Sequence, residues 1–228
     1  MSRRAALILA GLLATEAPAQ QADWLATTGK LSGEDFYRLV SCRALPGGPC
    51  TLDPVRWPPE KAMDLRVALI DPPPGYPQGT ARRMSVALDH AIAEINSVGA
   101  ALRLRRVAAA AAADITVHLP RVPEGGLITG TGIEGVDGSP IEAALVTIWW
   151  DDRMALTSAA IVMAETIPPA DILPIMLEEL TQAMGLMTDI RNPLYDSLSV
   201  LAEDSNSVAH LGPQDREALR RHYPGGSP

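Results

Sequence analysis

Leu177-Glu178-Glu179-Leu180-Thr181-Gln182-Ala183-Met184-Gly185-Leu186, with Asp189 three residues further on, carries the most specific spacing in the chain. On a helix advancing about 100° per residue, Glu178, Gln182 and Gly185 fall on one stripe, and Glu179 stands roughly 100° round from Glu178. Asp171 is placed to cap this helix, and Pro174 is tolerated in its first turn, where a missing N–H costs little. At the other end Gly185 stands where the chain must turn sharply. The pattern therefore predicts a helix that presents two polar side chains one turn apart, followed by a turn and an acidic residue.

Working back from this helix, Ala144-Leu145-Val146-Thr147-Ile148-Trp149-Trp150 reads as a strand from its β-branched and aromatic content. Residues 158–164 read as a further strand, although their alanines and methionine also allow a helix. Between residues 124 and 140 glycines accumulate, and Gly130-Thr131-Gly132-Ile133-Glu134-Gly135 formally matches the dinucleotide fingerprint. That fingerprint needs a strand directly before it and a helix directly after it, and Val136-Asp137-Gly138-Ser139-Pro140 cannot open a helix. A flexible surface loop is the expectation there. Residues 114–119 and 102–107 suggest strands, and Leu65-Arg66-Val67-Ala68-Leu69-Ile70 another. Over residues 80–97 the apolar Met84, Ala87, Leu88, Ala91, Ile92 and Ile95 recur at steps of three and four, which predicts an amphipathic helix ending near Gly99. Trp57-Pro58-Pro59 reads as a rigid connector. Ser32 with Asp35 forms a capping box that opens a short helix over residues 33–41. Downstream of the motif, residues 189–210 read as irregular and residues 213–222 as a final helix.

The spacing of the central stretch resembles HExxHxxGxxH/D, the motif of the metzincin and matrixin branch of zincin metallopeptidases. Glu178 and Gln182 stand where the two zinc histidines would be, Glu179 at the position of the base that activates the metal-bound water, and Thr188 at the third ligand position with Asp189 after it. The Met-turn position, Ser197-Leu198-Ser199-Val200, has no methionine. Glu-Glu-Leu-Thr-Gln-x-x-Gly-Leu-x-x-Asp is also similar to the hallmark of an exported family of Gram-negative bacteria, domain of unknown function 2927. That resemblance takes in the segment from Asp35 to Cys42, the Pro-Gly-Gly-Pro-Cys run ending at Cys50, and Leu211-Gly212-Pro213-Gln214-Asp215 with Leu219 and Tyr223. It implies an α+β, zincin-like fold: a mixed, twisted sheet, two main helices, and an edge strand above the active-site-type helix, preceded by a short helical segment with a disulfide. The order of elements read from periodicity alone is similar to that fold.

A chain of 228 residues, 47% of them hydrophobic, suffices for one core, built mainly from aliphatic side chains because aromatics make up only 4%. Met1-Ser2-Arg3-Arg4, the apolar residues 5–14 and Ala17-Pro18-Ala19 read as a signal peptide cleaved after Ala19. Three parts are expected: residues 1–19 as leader, residues 20–60 as helix and cystine loop, and residues 61–228 as the zincin-like domain. The apolar run is shorter than the roughly 20 residues of a bilayer span, so no anchor is expected after cleavage and the location is periplasmic or secreted. A net charge of −8 argues against nucleic acid as a partner. Cys42 and Cys50 flank a Pro-Gly-Gly-Pro turn and are expected to pair in an oxidising compartment, without the C-x-x-C spacing of redox catalysts.

Two readings of the site stand. In one, the scaffold binds a peptide or an envelope component and catalyses nothing, with strand 144–150 offering main-chain hydrogen bonds and Trp149 or Trp150 an anchor. In the other, Glu179 acts as a general base, with or without a hard cation such as Ca²⁺ held by the oxygens of Glu178, Gln182 and Asp189. No cofactor is expected, and zinc is disfavoured because the set holds no imidazole or thiolate. The four histidines show no i, i+4 pair among themselves, and only His210 lies near the Asp189 loop in sequence.

Overall fold

The computed structural model describes residues 24–133 and 135–225, so the expected leader, residues 1–19, lies outside the described residues. Five strands form one mixed sheet: β2 (Leu65–Leu69), β3 (Leu104–Arg106), β4 (Ile115–His118), β5 (Ala144–Trp150) and β6 (Leu156–Met163). Their order is β3-β2-β4-β6-β5. The pairs β2–β3, β2–β4 and β4–β6 are parallel, and only β5 runs antiparallel, against β6 from Ala144↔Met163 to Trp150↔Leu156. Strand β6 is buried along most of its length, as an inner strand covered on both faces should be, which resolves residues 158–164 as strand rather than helix. The α+β expectation holds at this level.

Helix α3 (Gln78–Asn96) buries Met84, Ala87, Leu88, Ala91, Ile92 and Ile95, the stripe that its periodicity marks. It packs along α4 (Ile172–Gln182), which in turn touches β5 and β6. The two helices therefore lie side by side on one face of the sheet. Helix α4 buries Ile172, Ile175, Met176, Leu177 and Leu180 and so is apolar nearly all round, as a central helix must be. Asp171 occupies its N-cap position, but its backbone is already helical and its side chain makes no capping bond. A second departure is a short strand within the segment read as irregular: β7 (Asp189–Arg191) pairs in parallel with β1 (Trp24–Ala26).

The N-terminal segment is tied to the C-terminal one. Helix α1 (Gly33–Cys42) is capped by Ser32, whose Oγ accepts from the Asp35 amide, and it packs against α5 (Pro213–His222). The Cys42–Cys50 disulfide is formed, with Cα atoms 5.1 Å apart. Trp57, in the segment read as a rigid connector, is a core residue, and Pro59 opens the single-turn helix α2 (Pro59–Ala62). The glycine-rich region is a surface loop outside the named elements with most of its described residues exposed, and it is anchored by the buried Ile128 and Val136 and by Asp137, which accepts from the Thr131 and Gly132 amides.

Candidate functional site around Gln182 and Asp189

Helix α4 ends at Gln182, and the chain reverses through Ala183-Met184-Gly185 with Gly185 at φ +95°. Only glycine fits here. A Cβ would overlap the Val55 carbonyl oxygen and lie 2.9 Å from His222 Nε2, in a backbone conformation that L side chains rarely adopt. Two residues distant in sequence, Trp57 and Tyr223, hold the turn. Trp57 Nε1 donates to the Ala183 carbonyl at 2.9 Å, Tyr223 Oη donates to the Met184 carbonyl at 2.7 Å, and the Trp57 amide donates to Tyr223 Oη at 3.2 Å. His222 lies beside them with Nε2 2.9 Å from the Val55 carbonyl oxygen. Burial, together with the nearby Arg56 guanidinium, lowers its pKa to about 4, so the ring is neutral and donates Nε2–H to that carbonyl.

The turn brings Asp189 back beside the helix. Gln182 Nε2 donates to both Asp189 oxygens, at 2.9 and 3.0 Å, and both residues are buried. A carboxylate only accepts, so the NH₂ end of the amide must face it and the Gln182 carbonyl must point elsewhere. Hydrogen bonds to a charged group stabilise by about 1.5–3 kcal/mol each, and this pair fixes both side chains. Glu178, one turn earlier, keeps part of its surface exposed while its carboxyl sits deep among protein atoms. Burial pushes that carboxyl well above the usual carboxylate range, and the negative charges of Asp189, Glu179 and Glu203 push the same way. Both causes favour the protonated form of Glu178.

Four of the sequence-derived residues therefore gather: Glu178, Glu179, Gln182 and Asp189. Thr188 is buried, and its amide hydrogen-bonds to the Val40 carbonyl at 3.3 Å. Trp149 and Trp150 stand apart on β5, the first half-buried and the second 51% exposed. His210 pairs with Glu94 and not with this cluster. Glu203, Arg191 and Trp24 escaped sequence reasoning. Arg191 bonds Glu203 at 2.9 Å and Asp204 at 3.2 Å and stacks its guanidinium 3.6 Å over the Trp24 ring, while Trp24 pairs with Asp189 in the β1–β7 ladder. The order Asp189-x-Arg191 in a segment without periodicity gave no signal for this.

The donor set does not fit zinc. The Gln182 amide presents N–H groups to the carboxylate that would have to share the ion, and neither imidazole nor thiolate belongs to the cluster. Nor does the cluster line the cavity of about 740 Å³ whose walls include Arg56, Trp57, Met63, Arg153 and Tyr223. No family model matches the chain, and no curated protein matches it, so the resemblance to domain of unknown function 2927 and to zincins rests on the residues quoted above.

Proposed function

We propose that the protein is an exported, zincin-like scaffold that binds an extended peptide or a cell-envelope component and does not hydrolyse it. The observation that carries this reading is the Gln182 amide on both Asp189 oxygens, which closes with internal hydrogen bonds the place where the resemblance puts a metal and its water. The sheet order supports the scaffold part, since its single antiparallel strand lies at the edge and beside α4, as the zincin resemblance implies. The binding part draws on β5, which pairs only with β6 among the named strands and carries exposed Trp150 at its end. An extended chain laid against such an edge gains main-chain hydrogen bonds, and an exposed indole supplies an apolar anchor.

A hydrolytic reading has one observation in its favour, a buried Glu179 next to a Glu178 that favours its protonated form, which is how an acid and a base are set apart by environment. The two readings separate in one experiment, in which the protein is screened against a library of extended peptides for binding and for cleavage, with Glu179→Gln and Trp150→Ala alongside. Binding without cleavage, kept in Glu179→Gln and weakened about tenfold in Trp150→Ala, is expected. Cleavage that disappears in Glu179→Gln would establish the hydrolase instead.

A further inference from the structure

The chain holds a second polar constellation, away from α4. His90 and Glu94 stand one turn apart on the same stripe of α3, and the segment preceding α5 brings His210 over them. Each of the three offers a ligand atom, and these atoms all lie within 4.8 Å of one another. The two imidazole rings meet edge to face with centroids 5.1 Å apart.

We infer that His90, Glu94 and His210 form a binding site for a divalent transition-metal ion, Zn²⁺ by its donor set, that fastens the segment before α5 to helix α3. Two imidazoles and one carboxylate are a combination that zinc takes with a fourth position left open, and here His210 is exposed so that position faces solvent. The side chains around the three already orient them. Arg216 Nη2 donates to Glu94 Oε2 at 2.9 Å and the Leu211 amide donates to the same oxygen at 3.2 Å, which leaves Oε1 directed at His210 Nδ1, 3.2 Å away. His90 is held against the loop by Nε2, 2.8 Å from the Ala209 carbonyl oxygen. Such outer partners fix ligand orientation in metal sites. An ion drawing the ligand atoms towards bonds of about 2.0–2.2 Å would replace the Glu94–His210 contact with a shared metal. The contraction falls on His210, whose side chain is 71% exposed and therefore free to move.

This site is independent of the peptide-binding reading, and its test is arranged to keep the two apart. The protein, expressed from the whole chain, stripped with chelator and dialysed, is titrated with Zn²⁺ in a calorimeter beside His210→Ala and Glu178→Gln. One saturable site per chain is expected. His210→Ala should lose more than the roughly 10–100-fold that removal of an outer-shell partner costs, and Glu178→Gln should bind as the parent does. Melting in metal-free buffer shows whether His210→Ala keeps its fold, and X-ray absorption of the loaded parent protein reads the ligands without any variant. Two imidazoles in that spectrum support the site. Absence of saturable binding, equal affinity in His210→Ala, or an all-oxygen shell overturns it.

Discussion

The α4 cluster and the α3 cluster invert one another. Around α4 the spacing is that of a zinc-peptidase helix, but the side chains are Glu178, Glu179, Gln182 and Asp189, and an amide donor occupies the position of a ligand. Around α3 no motif can be read, yet two imidazoles and a carboxylate converge. Residue spacing reports the backbone a family uses, whereas metal chemistry follows from which donor atoms meet in space. In this chain the two kinds of information have come apart.

The backbone around α4 is most vulnerable at Gly185. Gly185→Ala would set a Cβ against the Val55 carbonyl and His222 at positive φ. It should cost more than about 4 kcal/mol and leave little folded protein, as read by chemical denaturation and soluble yield. His222, which closes the same corner, gives the next largest effect, through pH. Its folded pKa of about 4 lies below the ordinary histidine value of 6.5. As pH falls through that interval the unfolded chain takes up a proton that the folded chain refuses, so folding stability drops, by about 3 kcal/mol in full. The part of the pH dependence due to this ring should vanish in His222→Gln, measured by urea unfolding at pH 7 and pH 4.

Zinc addresses the α3 cluster. At about 100 times its dissociation constant it should raise the unfolding free energy of the parent protein by about 2.7 kcal/mol and do nothing for His210→Ala, visible as a shift in melting temperature. The smallest effect sharpens the description of the α4 cluster. A carboxyl whose folded pKa is raised contributes stability below its unfolded pKa and loses it as pH rises through the folded one. Glu178→Gln should therefore stabilise by about 1 kcal/mol at pH 8, and the gain should fade at pH 4. A variant less stable than the parent at pH 8 would mean that the Glu178 charge is compensated and that the cluster is not a crowded set of acids.

Much of the scaffold was legible because periodicity is a local property. The stripe of α3, the Ser32 cap of α1, strand β5 from Ala144 to Trp150 and helix α5 from Pro213 to His222 all follow from neighbours a few residues apart. The meeting of Glu178, Gln182 and Asp189 was legible for the same reason, since one helix and one turn connect them. What the sequence hides is long-range. Trp24 reaches Asp189 through a three-residue strand pairing, too short to leave a pattern, and Trp57 has the flanking prolines of a linker while its indole is spent on the Ala183 carbonyl. His210 lies 116 positions from Glu94, and nothing local to either residue marks them as partners. Glu203 bears on Glu178 only because the segment after β7 folds back.

The lock on the Gly185 turn has a consequence for the life of the chain before it folds. Trp57, Met184 and Tyr223 belong to three remote parts of the polypeptide, and each supplies one member of a single hydrogen-bonded junction. A nascent chain that has reached Ala183 already contains the sheet, both main helices and the Trp57 bond to the end of α4, but the Met184 carbonyl waits for Tyr223 at the end of α5. Contacts of this separation are made late and slowly, because the loop must close before anything is gained. The junction therefore closes last, and a chain shortened before Pro213 should lose its Tyr223 bonds and with them part of the hold on the end of α4.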